Sequence, residues 1–371
     1  MFGIMDETGL AREFRADDFF GAQAPREFLG KLLMRPSLPP TLLLSGPGGV
    51  GKALAAFLWI KALVCENNTQ HSFSACDECR TCRSLNALNQ PDFVAIRPRS
   101  TEITIKQIRE DYASFRDAYL LPHNLPYRLF LLEECHLLNE EVSNMMLKLL
   151  EEPPERTLFI LVTDKPYLLL PTIRSRTLEV RFLTEPTDRL AEYLRTQGAD
   201  EAQAELAAYF SQGRVGLAKQ LLLTPNFLPA LAAAMSRITR RLQKKATAGG
   251  MFAFREAVLE LANVHFQSIL KVDEGEVPPD FYLLPWRRPR EDEDDEGQAA
   301  PARRNALERA SLQFVLDCLR LALLKAEEQS GSPLASTNEQ VFVHARSQLE
   351  VNLRLDQVVD SLLINLADAR I

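Results

Sequence analysis

The sequence predicts an α/β protein: a mainly parallel sheet carrying a phosphate-binding loop, followed by two helical domains. Three observations predict it. Short apolar runs rich in branched and aromatic residues alternate with helical stretches between about residues 42 and 182, the pattern of strands covered by helices on both faces. One of these runs passes straight into the glycine-rich "SGPGGVGK". After Pro186 the strand-like runs stop and the periodic segments read as helices.

The strand candidates, in order, are "TLLLSG" from Thr41, "DFVAIRP" from Asp92, "YRLFLLEE" from Tyr127, "TLFILVT" from Thr157 and "TLEVRF" from Thr177. Between them "KALAAFLWIKALVC", "TIKQIREDYASFRDAYL" and "NEEVSNMMLKLLEE" have helical composition. The first domain is placed at residues 1–184. "TDRLAEYLRTQ", "DEAQAELAAYFSQ" and "GLAKQLLL" read as short helices of a small second domain at 185–248, ending before Gly249 and Gly250. Long amphipathic helices fill a third domain at 249–371. A segment at about 273–305, rich in proline and charge, interrupts it. The six consecutive acids Glu291 to Glu296 cannot pack in a core, so the segment is expected to be a disordered insertion.

Composition narrows the function classes. With 46% hydrophobic and 25% charged residues the chain is an ordinary globular one. A net charge of -7 gives no whole-chain support for tight nucleic-acid binding. No apolar run approaches the length of a membrane span, and "MFGIMDETGLAREFRADDFF" is too acidic and broken for a signal peptide. The reducing cytoplasm is the expected compartment.

A strand, a glycine-rich turn and a helix together present backbone N–H groups and a helix N-terminus to a phosphate. Gly46, Gly48, Gly49 and Gly51 permit that close approach, and Lys52 would reach the terminal phosphates. The next residue, Ala53, lacks the hydroxyl that would hold magnesium. Glu133 and Glu134 end an apolar run where metal-holding acids belong, with Glu in the first place. These two features predict a loop poor at hydrolysis.

Of the six cysteines, Cys65, Cys76, Cys79 and Cys82 cluster, as Cys-x10-Cys-x2-Cys-x2-Cys. Four thiolates suit tetrahedral zinc and close its coordination sphere, so the site would be structural. His71 is an alternative ligand, and a redox role is the competing reading. Cys135 and Cys318 stand alone and are expected to be buried thiols.

"NMMLKLLEEPPERTLFILVTDKPYLLLPTIRSRTLEVRF" resembles the signature of bacterial clamp-loader subunits, and the cysteine knuckle after the glycine loop is similar to that family's zinc module. "FFGAQAPREFLGKLL" and "QLEVNLRLDQVVDSLLINL" resemble its first and last helices. The resemblance implies an AAA+ P-loop domain with a zinc knuckle, a helical lid and an all-α collar. Within the family the gamma or tau motors hydrolyse ATP, whereas the delta-prime type is a rigid partner with a decayed loop. Ala53, Glu133 and Leu217, where the motor's second sensor arginine would fall, favour delta-prime. The resemblance further implies that Arg176, beside Ser175 in "IRSRT", is an arginine finger acting on a neighbour's ATP and Mg2+, with Arg174 as the fallback and Thr177 where the family has cysteine. The implied partners are gamma/tau motors and the delta subunit in a hetero-oligomeric ring, the sliding clamp, and primed DNA through the assembly. Nucleotide binding by the chain's own loop is left open. The rival expectations are an active motor-type ATPase, in which water replaces the hydroxyl missing at Ala53, and a zinc-dependent DNA-binding module.

Overall fold

The structure is a computed structural model that describes residues 19–98, 102–112, 119–223, 227–233, 256, 258–263, 265, 308–321, 324, 339–350, 354 and 357–362. The N-terminal segment before residue 19 and the expected acidic insertion at about 273–305 lie outside these residues. The described residues divide into two compact units, one ending at Lys219 and one starting at Gln220.

In the first unit the chain runs α1 (Gln23–Leu33), β1 (Thr41–Ser45), α2 (Lys52–Val64), α3 (Arg80–Asn86), β2 (Phe93–Ile96), α4 (Ile105–Tyr112), β3 (Arg128–Leu132), α5 (Glu140–Glu151), β4 (Thr157–Thr163), the short α6 (Pro171–Arg174), β5 (Leu178–Arg181), α7 (Thr187–Thr196), α8 (Glu201–Ser211) and the start of α9 (Val215–Leu223). The five strands form one parallel sheet in the order β2-β3-β4-β1-β5. They are the five apolar runs singled out in the sequence.

Every residue of β1, β3 and β4 is buried, because side chains point alternately to two covered faces. Leu42, Leu44, Leu129 and Ile160 pack on the side of α1 and α2, whereas Leu43, Phe130, Leu132 and Phe159 pack on the side of α5. Helix α2 is apolar nearly all round, as a helix enclosed on all sides must be. Its Trp59 ring N–H donates to the Leu29 carbonyl at 3.0 Å and so ties it to α1. Asn139 caps α5 by accepting the Val142 N–H at 3.0 Å. At the β2 end Asp92 accepts N–H bonds from His123 (2.9 Å), Asn124 (2.6 Å) and Leu125 (3.0 Å). Burial alone would raise that carboxyl; these donors and Arg128 hold it below its ordinary range.

Helices α7 and α8 are joined to the sheet through Glu185. Its N–H donates to the Gly213 carbonyl at 2.9 Å and its carboxylate accepts the Ala22 N–H at 2.8 Å. Gly213 has φ 76, and a Cβ there would lie 1.9 Å from the Glu185 carbonyl oxygen, so only glycine fits.

In the second unit the described residues are helical apart from Arg354. Phe227, His265 and Phe314 form an aromatic cluster, with the imidazole stacked 4.4 Å from the Phe314 ring. His265 is 3% exposed, and neither ring nitrogen has a hydrogen-bond partner among the described residues. Burial lowers its pKa from 6.5 to about 4. A pKa that falls on folding means the unfolded chain takes up the proton first. Stability is therefore complete above pH 6.5 and is lost as pH falls from there to about 4, by about 3 kcal/mol. Urea unfolding of the full chain at pH 7 and pH 4.5 should register that loss in the unfolding of the second unit, and His265→Phe should remove most of it.

Candidate functional site

Among the described residues three groups could carry chemistry, all in the first unit. The first is the glycine loop, at the carboxyl end of β1. In an open α/β sheet ligands bind outside the carboxyl ends of the strands, where the strand order reverses, and β1 lies between β4 and β5. Gly46 adopts φ 137, and a Cβ there would come within 2.2 Å of the Phe182 carbonyl oxygen. Lys52 is buried at the head of α2, and its ammonium donates to the Gly46 and Pro47 carbonyls at 2.7 and 2.6 Å. Ala53 is 8% exposed and belongs to the apolar core.

The opposite rim of the loop is in contact with α9. The Gly216 N–H donates to the Gly49 carbonyl at 2.7 Å. The Leu217 backbone N lies 3.4 Å from where a Gly49 Cβ would stand. Glu133 is buried at the end of β3, and Glu134 follows in a left-handed conformation, φ 48.

Sequence reasoning missed three further residues beside this loop. His136 Nδ1 is 3.0 Å from Thr163 Oγ1 and 3.6 Å from Asp164 Oδ1. The other Asp164 oxygen faces Gly48, 3.8 Å from where a Cβ would be. Burial lowers the His136 pKa, and Lys165 and Lys52 lower it further against the pull of Asp164. The available signal was position: Thr163 ends β4, Asp164 follows it, and His136 lies shortly after the carboxyl end of β3.

The second group lies at the end of α6. Arg176 Nη2 pairs with Glu151 Oε1 at 2.9 Å, while Nη1 donates to the Thr172 carbonyl at 3.0 Å and meets Ser175 Oγ at 3.5 Å. Ser175 Oγ donates to the same Thr172 carbonyl at 3.1 Å. The Arg176 side chain is 35% exposed and that of Glu151 52%. An ion pair this open contributes at most about 1 kcal/mol. Arg174 lies 4.0 Å from Glu179, whose carboxylate also accepts Ser45 Oγ at 2.5 Å.

The third group is the cysteine cluster. The sulfurs of Cys65, Cys76, Cys79 and Cys82 all lie within 4.8 Å of one another, and His71 is not among them. Tetrahedral zinc, with bonds of about 2.3 Å, would hold four sulfurs about 3.8 Å apart, so the set fits that ion with small adjustment. Backbone N–H groups are already aimed at the sulfurs. Cys76 N–H donates to Cys65 Sγ at 3.4 Å, Cys79 N–H to Cys76 Sγ at 3.3 Å, and Cys82 N–H to Cys79 Sγ at 3.3 Å. Burial raises the Cys65 and Cys82 thiols. For Cys76 burial is outweighed by the N–H groups of Cys79 and Glu78 and by its sulfur neighbours, which bring it down to about 6. Donors directed at sulfur favour thiolate, the metal-binding form. Beneath the cluster Asp77 pairs with Lys61 of α2; Lys61 is 0% exposed and Asp77 4%. Cys135 and Cys318 are buried free thiols.

No helix among the described residues is long and apolar enough to cross a membrane. Residues 23–186 match the profile of the family described as "DNA polymerase III, delta subunit". The chain is 32% identical over 175 residues to the DNA polymerase III subunit tau of Bacillus subtilis, covering 46% of this chain and 30% of that protein. It is 35% identical over 136 residues to the DNA polymerase III subunit delta' of Pseudomonas aeruginosa, covering 36% of this chain and 40% of that one. The chain thus spans less than half the length of these curated relatives. A gamma subunit-related protein of Thermotoga maritima, solved by crystallography, aligns over 94% of this chain and 100% of its own, at 16% identity and a TM-score of 0.47.

Proposed function

We propose, on the premise that residues 23–186 belong to the family of DNA polymerase III clamp-loader subunits, that this chain is a delta-prime-like member that does not hydrolyse ATP itself. It would act in the cytoplasm, in a hetero-oligomeric ring with gamma/tau motors and a delta subunit. That ring would load the sliding clamp onto primed DNA. Residues 1–184 would form the nucleotide-binding-like domain, 185–248 the lid and 249–371 the collar through which the subunits associate. Arg176, with Ser175 beside it, would reach the ATP of the neighbouring motor.

The observation that carries the reading is Ala53. A motor needs a hydroxyl there, aimed at the magnesium ion that bridges the β- and γ-phosphates. Here a methyl group is packed into the core beneath the loop. The contact of Gly216 with Gly49 points the same way, since the loop's rim is already engaged by its own chain. Glu133 and Glu134 would complete a degenerate nucleotide site rather than a working one.

The test is ATP turnover by the purified chain alone, with magnesium present. No turnover is expected. Turnover at about 1 per second, the slow end for ordinary enzymes, would mean that the chain is a motor.

Zinc is the ion we assign to Cys65, Cys76, Cys79 and Cys82, in a structural role, because four thiolates leave no position for water. Elemental analysis of the purified chain should find one zinc per molecule, and Cys79→Ser should lose it. Chelation should lower the melting temperature.

A further inference from the structure

The arginine assigned to the neighbour's nucleotide is engaged within its own chain. Arg176 turns Nη2 onto Glu151 at 2.9 Å and Nη1 onto the Thr172 carbonyl at 3.0 Å. A phosphate is recognised by the same planar fork of donors. An anion arriving at Arg176 therefore meets a guanidinium whose charge is already balanced by a carboxylate, and that carboxylate would repel it.

Glu151 occupies a position unfavourable for its own helix. It is the last residue of α5 and is followed by a second acid, Glu152. The carboxyl end of a helix carries partial negative charge, so acids there are disfavoured and a basic residue is preferred. Lys148 supplies the basic residue of the last turn, but the ion pair that Glu151 makes is with Arg176, brought in from the turn between α6 and β5. Glu151 thus answers to a tertiary partner.

We infer that Glu151 is a latch: it parks Arg176 in the free subunit and gives it up when the neighbour's nucleotide docks. Glu151 acts only through Arg176, so it is a positioning residue. The inference rests on the reading of Arg176 as a finger acting in trans. The exposure of the pair, 35% and 52%, sets the strength of the latch. An ion pair in such a setting shifts an equilibrium by no more than about five-fold. That is enough to bias the arginine and weak enough for a bidentate phosphate contact to displace it.

The test uses the chain reconstituted with a hydrolysing gamma/tau-type subunit and the rest of the ring, and reads single-turnover ATP hydrolysis. Glu151→Gln keeps the shape and removes the charge on an exposed side chain, so the fold should survive it. It is expected to raise the rate by up to about five-fold. In the Arg176→Ala background the same substitution should change nothing, because there is no arginine to release. A lower rate with E151Q, an unchanged rate, or a rise that persists without Arg176 would each overturn the latch. If R176A itself leaves hydrolysis unaffected, the finger reading fails, and the latch with it. The two failures are therefore distinguishable.

Discussion

Arg176→Ala, placed in the reconstituted ring, is expected to slow ATP hydrolysis by the adjoining motor by about 10³- to 10⁵-fold, the range that arginine fingers supply. The effect is large because a guanidinium donates two N–H groups to oxygens that gain charge as the phosphoryl group departs. Stability should hardly change. The side chain is 35% exposed and its ion pair with Glu151 is open to water, so its removal costs at most about 1 kcal/mol. A normal melting temperature beside a collapsed rate would locate the loss in catalysis. Arg176→Lys should recover little, since an ammonium lacks the planar fork. If Arg174→Ala gave the large effect and Arg176→Ala did not, the roles of the two arginines would be exchanged.

Lys61→Met is expected to destabilise the first unit by about 3–5 kcal/mol, the usual result of removing one partner from a buried ion pair. Lys61 is fully buried in α2, its ammonium 5.6 Å from the centre of the Phe57 ring, and Asp77 is 4% exposed. Without the ammonium, the Asp77 carboxylate would remain in an apolar surrounding. The damage should extend to the metal site, because Asp77 lies between Cys76 and Cys79. Thermal unfolding together with zinc titration would measure both effects. Adding Asp77→Asn should recover much of the stability by removing the stranded charge. Asn also tolerates the left-handed φ of 61 at that position. A loss under about 1 kcal/mol for the single variant would mean that water reaches Asp77.

β1, β3 and β4 were legible because they are buried on both faces and so read as unbroken apolar runs, as "TLFILVT" does. The cysteines were legible because their spacing alone brings the sulfurs together. Other features depend on partners remote in sequence. Lys61 looks like the solvent-facing lysine of an ordinary helix until the knuckle folds over it. His136, Thr163 and Asp164 come from the ends of two strands and meet only because β3 and β4 are neighbours. The Arg176–Glu151 pair joins the two ends of a segment that loops through β4. Spacing arguments reach contacts within an element and its immediate turn; these residues needed the topology first.

The strand order also constrains how the chain comes together. β1 lies in the interior of the sheet, yet its partners β4 and β5 are more than a hundred residues further along the chain. During synthesis the glycine loop therefore emerges early, attached to a strand with no neighbour on either edge. Such long-range pairing is slow, and an unpaired apolar strand is a template for association with other chains. The cysteine knuckle follows β1 after the glycine loop and α2, and needs only local residues. Zinc uptake there would give the nascent chain an ordered nucleus, with α2 docked against it through Lys61, well before the sheet closes around β1.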